Sequence, residues 1–212
     1  MKTGLVLVVV MIVSIVGGVL EAQTHFSDGK PAVVTDGQGR SMTLSLKGAG
    51  TGEAVVNDDS SAIDVTVTGS DDKTRLKVKS KDGAALGKVD VAAALKELRA
   101  PRIRLTDNLT FGGTLATLIA GDADGLCIII SDERTKGVSI NLGEVVDLAI
   151  ASASKIKKFQ ADSLGDNDGL YQNIIAPYIG SSRVEGPIER VNFDVDHAVK
   201  TFKAGALIDT RI

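Results

Sequence analysis

Between residues 62 and 80 apolar and polar side chains alternate one for one. AIDVTVTG runs from Ala62 to Gly69 and TRLKVKS from Thr74 to Ser80, with SDDK between them. Alternation with a period of two marks a strand with one buried face, and Ser, Asp and Lys between two such runs form a turn. The same reading predicts strands in MTLSLK from Met42, GVSINLG from Gly137 and VNFDVD from Val191. A second figure departs from strict alternation. LKELRA from Leu95, LATLIA from Leu115, IKKFQA from Ile156 and VKTFKA from Val199 all read apolar-x-x-apolar-x-Ala. Apolar residues three apart can share a helix face, yet these segments are short and lie among β-branched or Gly- and Asp-rich stretches. Few of them carry an N-cap residue.

Recurrence decides between helix and strand. Leu98 and Leu118 are 20 residues apart, Leu118 and Phe159 are 41, and Phe159 and Phe202 are 43. Those gaps are one, two and two turns of a unit of about 20 residues, the period of stacked coils. The fold predicted is all-β: a right-handed parallel β-helix (β-solenoid) with degenerate repeats of about 20 residues. Leu98, Leu118, Phe159 and Phe202 then point inward, Ala occupies a tight corner, and Lys, Glu and Arg stay outside. No Pro-rich or low-complexity linker divides the chain, so residues 23–212 read as a single solenoid domain. The polar, Gly-, Thr- and Ser-rich stretch 23–52 reads as an N-terminal cap or extension.

Composition agrees with this core. Hydrophobic residues make up 43 % of the 212 and aromatics only 3 %, with no Trp. Val, Ile, Leu and Ala must fill the interior, and few rings are left as platforms for bases or sugars. The net charge of −3 gives no basic footprint for nucleic acid, and no polybasic membrane patch is expected. Residues 1–22 differ in kind: Lys2, an apolar run from Leu5 to Val16, then Gly17-Gly18 and Leu20-Glu21-Ala22 read as a cleaved secretory signal. An uncleaved anchor and a pilin-like leader ending at Gly4 are the alternatives. Cys127 is the one cysteine, and its setting in LCIII reads as a small buried hydrophobe.

Three long stretches, LKGAGTGEAVV, AIDVTVTGSDDKTRLKVKSKDGAALGKVDV and LRAPRIRLTDNLTFGGTLATLIAGDADG, resemble a family of secreted β-helix proteins abundant in planctomycetes and other environmental bacteria. SASKIKKFQADSL, IIAPYIGSSRVEG and VKTFKAGALIDTRI continue the likeness, which covers about residues 45–212. The resemblance implies a parallel β-helix and an extracellular location, and it transfers no active site.

Several constellations carry candidate chemistry. GDADG (121–125) and DSLGDNDG (162–169) gather Asp with Gly as calcium loops do, so Asp122, Asp124, Asp166 and Asp168 are the candidate calcium ligands. Neither stretch has the standard loop spacing, and Asp and Gly also dominate ordinary turns, which is the competing reading. Asp194 and Asp196 in FDVDH share one face of a strand, as paired carboxylates of glycan-cleaving β-helices do. Arg99, Arg102 and Arg104 form a small basic cluster around Pro101 and read as a solvated turn with exposed strand faces. His25 and His197 are the only histidines, and LKGAGTGEA lacks the ending of a phosphate-binding loop. The function expected is a secreted, non-enzymatic solenoid with a structural or adhesive role, needing no cofactor. Its partner would be an extracellular polymer or protein surface, with no nucleic acid and no membrane once the signal is removed. A carbohydrate-active β-helix enzyme and a membrane-anchored or pilin-like subunit are the alternatives.

Overall fold

The computed structural model describes residues 23–57 and 61–212. The expected signal segment, 1–22, lies outside the described residues. Among the described residues every regular element is a strand, and no helix is long and apolar enough to cross a membrane.

The first six strands are β1 (Thr24–Ser27), β2 (Ala32–Thr35), β3 (Ser41–Lys47), β4 (Thr51–Val56), β5 (Ala62–Thr68) and β6 (Arg75–Ser80). They pair antiparallel, β1 with β4, β4 with β5, β2 with β3 and β3 with β6. Antiparallel pairing therefore extends to Ser80, past the stretch 23–52, and β5 and β6 each join an antiparallel neighbour to a parallel one. Regular alternation and short polar turns suit antiparallel neighbours, whereas parallel neighbours need a longer return path. The turn between β2 and β3 is built on Asp36. Its carboxylate accepts the backbone N–H groups of Gln38 and Arg40 and the Arg40 side chain at 2.7 Å.

From there the chain winds in parallel coils. β7 (Ala85–Val91) and β8 (Leu95–Ala100) lie beside β5 and β6, followed by β9 (Leu109–Phe111) and β10 (Leu115–Ala120). A third, short side then appears in every turn. The strands are β11 (Ala123–Asp124), β12 (Cys127–Ile130), β13 (Val138–Asn141), β14 (Glu144–Val146), β15 (Ala149–Ser152), β16 (Ile156–Ala161) and β17 (Ser163–Gly165). They continue through β18 (Gln172–Ala176), β19 (Ile179–Val184), β20 (Pro187–Glu189), β21 (Val191–Val195), β22 (Val199–Lys203) and β23 (Ala206–Ile208). The first sheet runs β1-β4-β5-β7-β9-β12-β15-β18-β21, the second β2-β3-β6-β8-β10-β13-β16-β19-β22, and the third β11-β14-β17-β20-β23. The result is a β-solenoid of about seven turns.

Register turns the sequence pattern into columns. Leu76, Leu98, Leu118, Ile140, Phe159, Ser182 and Phe202 are successive partners on the second sheet, at steps of 22, 20, 22, 19, 23 and 20 residues. Ile140 and Ser182 fill the two skipped turns. Leu98, Leu118 and Phe159 are fully buried. Phe202 is only half-buried, because β22 is an edge strand with β19 as its one neighbour. Its ring meets Phe193 edge-on at 5.2 Å. On the third side Leu105, Ala123, Val145, Leu164, Ile188 and Leu207 stack in the same way.

The hexad apolar-x-x-apolar-x-Ala now has a physical cause. In β8, β10, β16 and β19 the first, fourth and sixth side chains point inward and the second and third both point out. Two outward residues in a row are a bulge: Val138 pairs with Ile156 and Ser139 with Lys158, so Lys157 has no partner in that ladder. The i, i+3 spacing that imitates a helix is a bent strand.

Candidate functional site

Each turn passes from the third sheet to the first through a tight corner, occupied in succession by Gly125, Asp147, Asp166, Arg190 and Asp209. The backbone is left-handed at Gly125 (φ 65°), Asp147 (57°), Arg190 (48°) and Asp209 (46°). Asp tolerates that region better than most residues because its carboxylate can bond nearby backbone. The Asp147 carboxylate instead accepts the N–H of Asn167 on the next coil at 3.0 Å. Asp166 opens the loop that leads to β18.

Here the structure brings together two of the four candidate calcium ligands. Carboxylate oxygens of Asp147, Asp166 and Asp168 lie within 4.8 Å of one another. Asp147 carried no signal in the sequence, since only the stacking of coils places it there. The cluster is already compensated in part. Arg190 donates to Asp166 at 2.6 Å, and the Gly169 N–H donates at 3.0 Å. Withdrawal from water pushes the Asp166 carboxyl up, but these bonds and the guanidinium charge outweigh it and hold it below its usual range. Calcium takes six to eight oxygens; the corner offers three carboxylates beside a cation. Asp122 and Asp124 stand apart from this group. Asp122 accepts the N–H of Glu144 at 3.0 Å, fastening one coil to the next, and Asp124 pairs with Arg104 at 2.9 Å.

Neighbouring polar groups tie the last turn down. Tyr171 donates to Asp209 at 2.6 Å, and the Arg211 guanidinium lies 4.4 Å from the Tyr171 ring centre. The hydrogen bond to Asp209 pushes the Tyr171 phenol up. Buried Gln172 accepts the Leu148 N–H at 2.9 Å and donates to the carbonyls of Gly165 and Glu189, joining three coils. Such an amide is indistinguishable in the sequence from a surface Gln.

The other candidates are dispersed. Asp194 is exposed, and its ladder neighbour is Ile175, itself stacked on Ala151. Asp196 and His197 lie exposed in the turn after β21, which ends at Val195, so Asp194 and Asp196 do not share one strand face as expected. His25 is exposed on β1. Cys127 is half-buried rather than core, because Ile128 and Ile130 take the inward positions of β12. Of the three arginines around Pro101, Arg104 pairs with Asp124 and Arg99 with Glu97, and Arg99 and Arg102 line an open groove of about 740 Å³ with Lys77, Lys79 and Lys81. Asp82 is the one acid there.

Comparison with known protein families, curated proteins and solved structures returned no match.

Proposed function

We propose that the protein is an exported, non-enzymatic solenoid whose role is structural or adhesive, a rigid body that presents flat faces to an extended extracellular partner. The location rests on the signal-like segment 1–22 and on the likeness to secreted β-helix proteins. The observation that carries the non-enzymatic reading is the register around Asp194. Acid–base cleavage of a glycan needs two titratable groups within reach of one bond. Asp194 instead stands beside Ile175, and the column it belongs to continues through Ala151 and Ile129. Stacked coils around a largely apolar interior support the structural role, since a rod of this kind holds its outer residues at fixed spacing.

The purified mature chain, incubated with pectin, alginate and other acidic glycans, is expected to release neither reducing ends nor unsaturated products. Turnover that vanishes in an Asp194→Asn, Asp196→Asn double variant would replace this reading with the enzyme.

A further inference from the structure

Charge is segregated by face. Counting strand residues only, the second sheet carries eleven Lys and Arg against the single acid Glu97, a difference of +10. The first sheet carries Lys88 against Glu53, Asp64, Asp90 and Asp194, or −3. The third carries Asp124, Glu144 and Glu189 with no cation, also −3. A chain of net charge −3 thus has one strongly basic side. All eleven cations are exposed. Three of them, Arg75, Arg99 and Arg183, reach a carboxylate, which leaves eight with no ion pair among the described residues.

The cations occur in two groups. One spans β3, β6 and β8 and includes the groove lined by Lys77, Lys79 and Arg99. The other spans β16, β19 and β22. β10 and β13 between them are uncharged. The bulged hexad contributes directly, since its paired outward positions carry Lys157 and Lys158 in β16. At about 4.8 Å per strand, the eight strands from β3 to β22 make a basic face about 34 Å long. That length suits a polymer lying along the solenoid axis better than a small anion.

We infer that this face binds a linear anionic polysaccharide, carboxylated or sulfated. Cations held on a rigid sheet meet regularly spaced anionic groups without reorganising. The uncharged outward positions favour a glycan over nucleic acid. Thr117, Ser139, Ser181 and Thr201 share a column with Lys158, and Asn141 and Gln160 share one with Arg183. Hydroxyls and amides both donate and accept, as sugar hydroxyls require. The second-sheet strands present no exposed ring on which a base could stack: Phe159 points inward and Phe202 is packed on Phe193.

This inference rests on the adhesive reading and is separable from it by measuring binding and cleavage independently. Full chain would be titrated with polygalacturonate, dextran sulfate, neutral dextran, single-stranded DNA and anionic phospholipid vesicles. The two anionic polysaccharides are expected to bind, neutral dextran to fail, and affinity to fall as salt rises from about 0.1 M to about 1 M. A Lys77→Glu, Arg99→Glu variant and a Lys158→Glu, Arg183→Glu variant should each lose about tenfold or more. Lys88→Glu, a change of the same sign on the exposed side of the first sheet, should leave affinity unchanged. Melting curves matching wild type would show that each variant is folded. No binding to either anionic polysaccharide, binding indifferent to both double variants, or stronger binding to DNA or vesicles would overturn the inference. Binding accompanied by cleavage would keep the face and remove only the non-enzymatic reading. Absence of both would remove the face alone.

Discussion

Phe159 fills its place in the second-sheet column completely, with Ile140 on one side and Ser182 on the other. Phe159→Ala should destabilise by about 3–5 kcal/mol in urea unfolding. Phe202→Ala should cost clearly less, since its ring is only half covered. Equal losses at both sites would contradict the assigned edge. Ser182 separates the two rings, and its small size leaves room for them. Its hydroxyl is buried with no hydrogen-bond partner, so Ser182→Ala should stabilise by about 1–3 kcal/mol; a loss of stability would mean that the hydroxyl is satisfied. Asp36 is the opposite case. Burial pushes its carboxyl up, but the bonds from Arg40 and Gln38 and the Arg40 charge hold it below the free value of 3.8. As pH falls, the unfolded chain takes up this proton before the folded one does. The stabilisation is whole above about pH 4 and is lost as pH drops through the folded value. Asp36→Asn should flatten the acid limb of a stability–pH curve, and an unchanged limb would rule Asp36 out as a contributor.

At the scale of the strand, local pattern was enough for much of the chain and insufficient where neighbours from other turns decide. The alternating runs at 62–68 and 75–80 are β5 and β6, because a period of two is a property of one strand and its own buried face. The hexads were legible as coils from their recurrence, but their bulge was not, because it shows only in the register between neighbouring coils. The two skipped turns were implied by the doubled gaps, but the residues that fill them were not, since Ile140 lies outside the hexad and Ser182 replaces an apolar residue. The antiparallel pairing of the first six strands was equally hidden, because strand direction depends on partners. So were Asp147 and Gln172, whose contacts lie one coil or more away. Gly180 is a further case. It sits at the bulge of β19, where an added Cβ would come within 2.6 Å of the Lys157 carbonyl oxygen. Gly180→Ala should lower the melting temperature by forcing β16 and β19 apart. An unchanged melting curve would show that the bulge relaxes freely.

For the molecule as a whole, the solenoid converts a one-dimensional spacing into three separate faces. Sequence composition, with a net charge of −3, concealed a side of +10, because charge was averaged over residues that register later sorts. Every statement about those faces depends on residues about 20 apart lying side by side. Thr117 and Ser139 are outward neighbours on adjacent coils, and Lys158 lies one coil further on. Adjacent strands sit about 4.8 Å apart, within the Cα separation of a disulfide, whereas two strands away is about 9.6 Å and beyond it. In a Cys127→Ser background, mild oxidation should close a Thr117→Cys, Ser139→Cys pair and leave a Thr117→Cys, Lys158→Cys pair as free thiols, read by intact mass after alkylation. Closure of the second pair with the first left open would contradict the coil register on which the account rests.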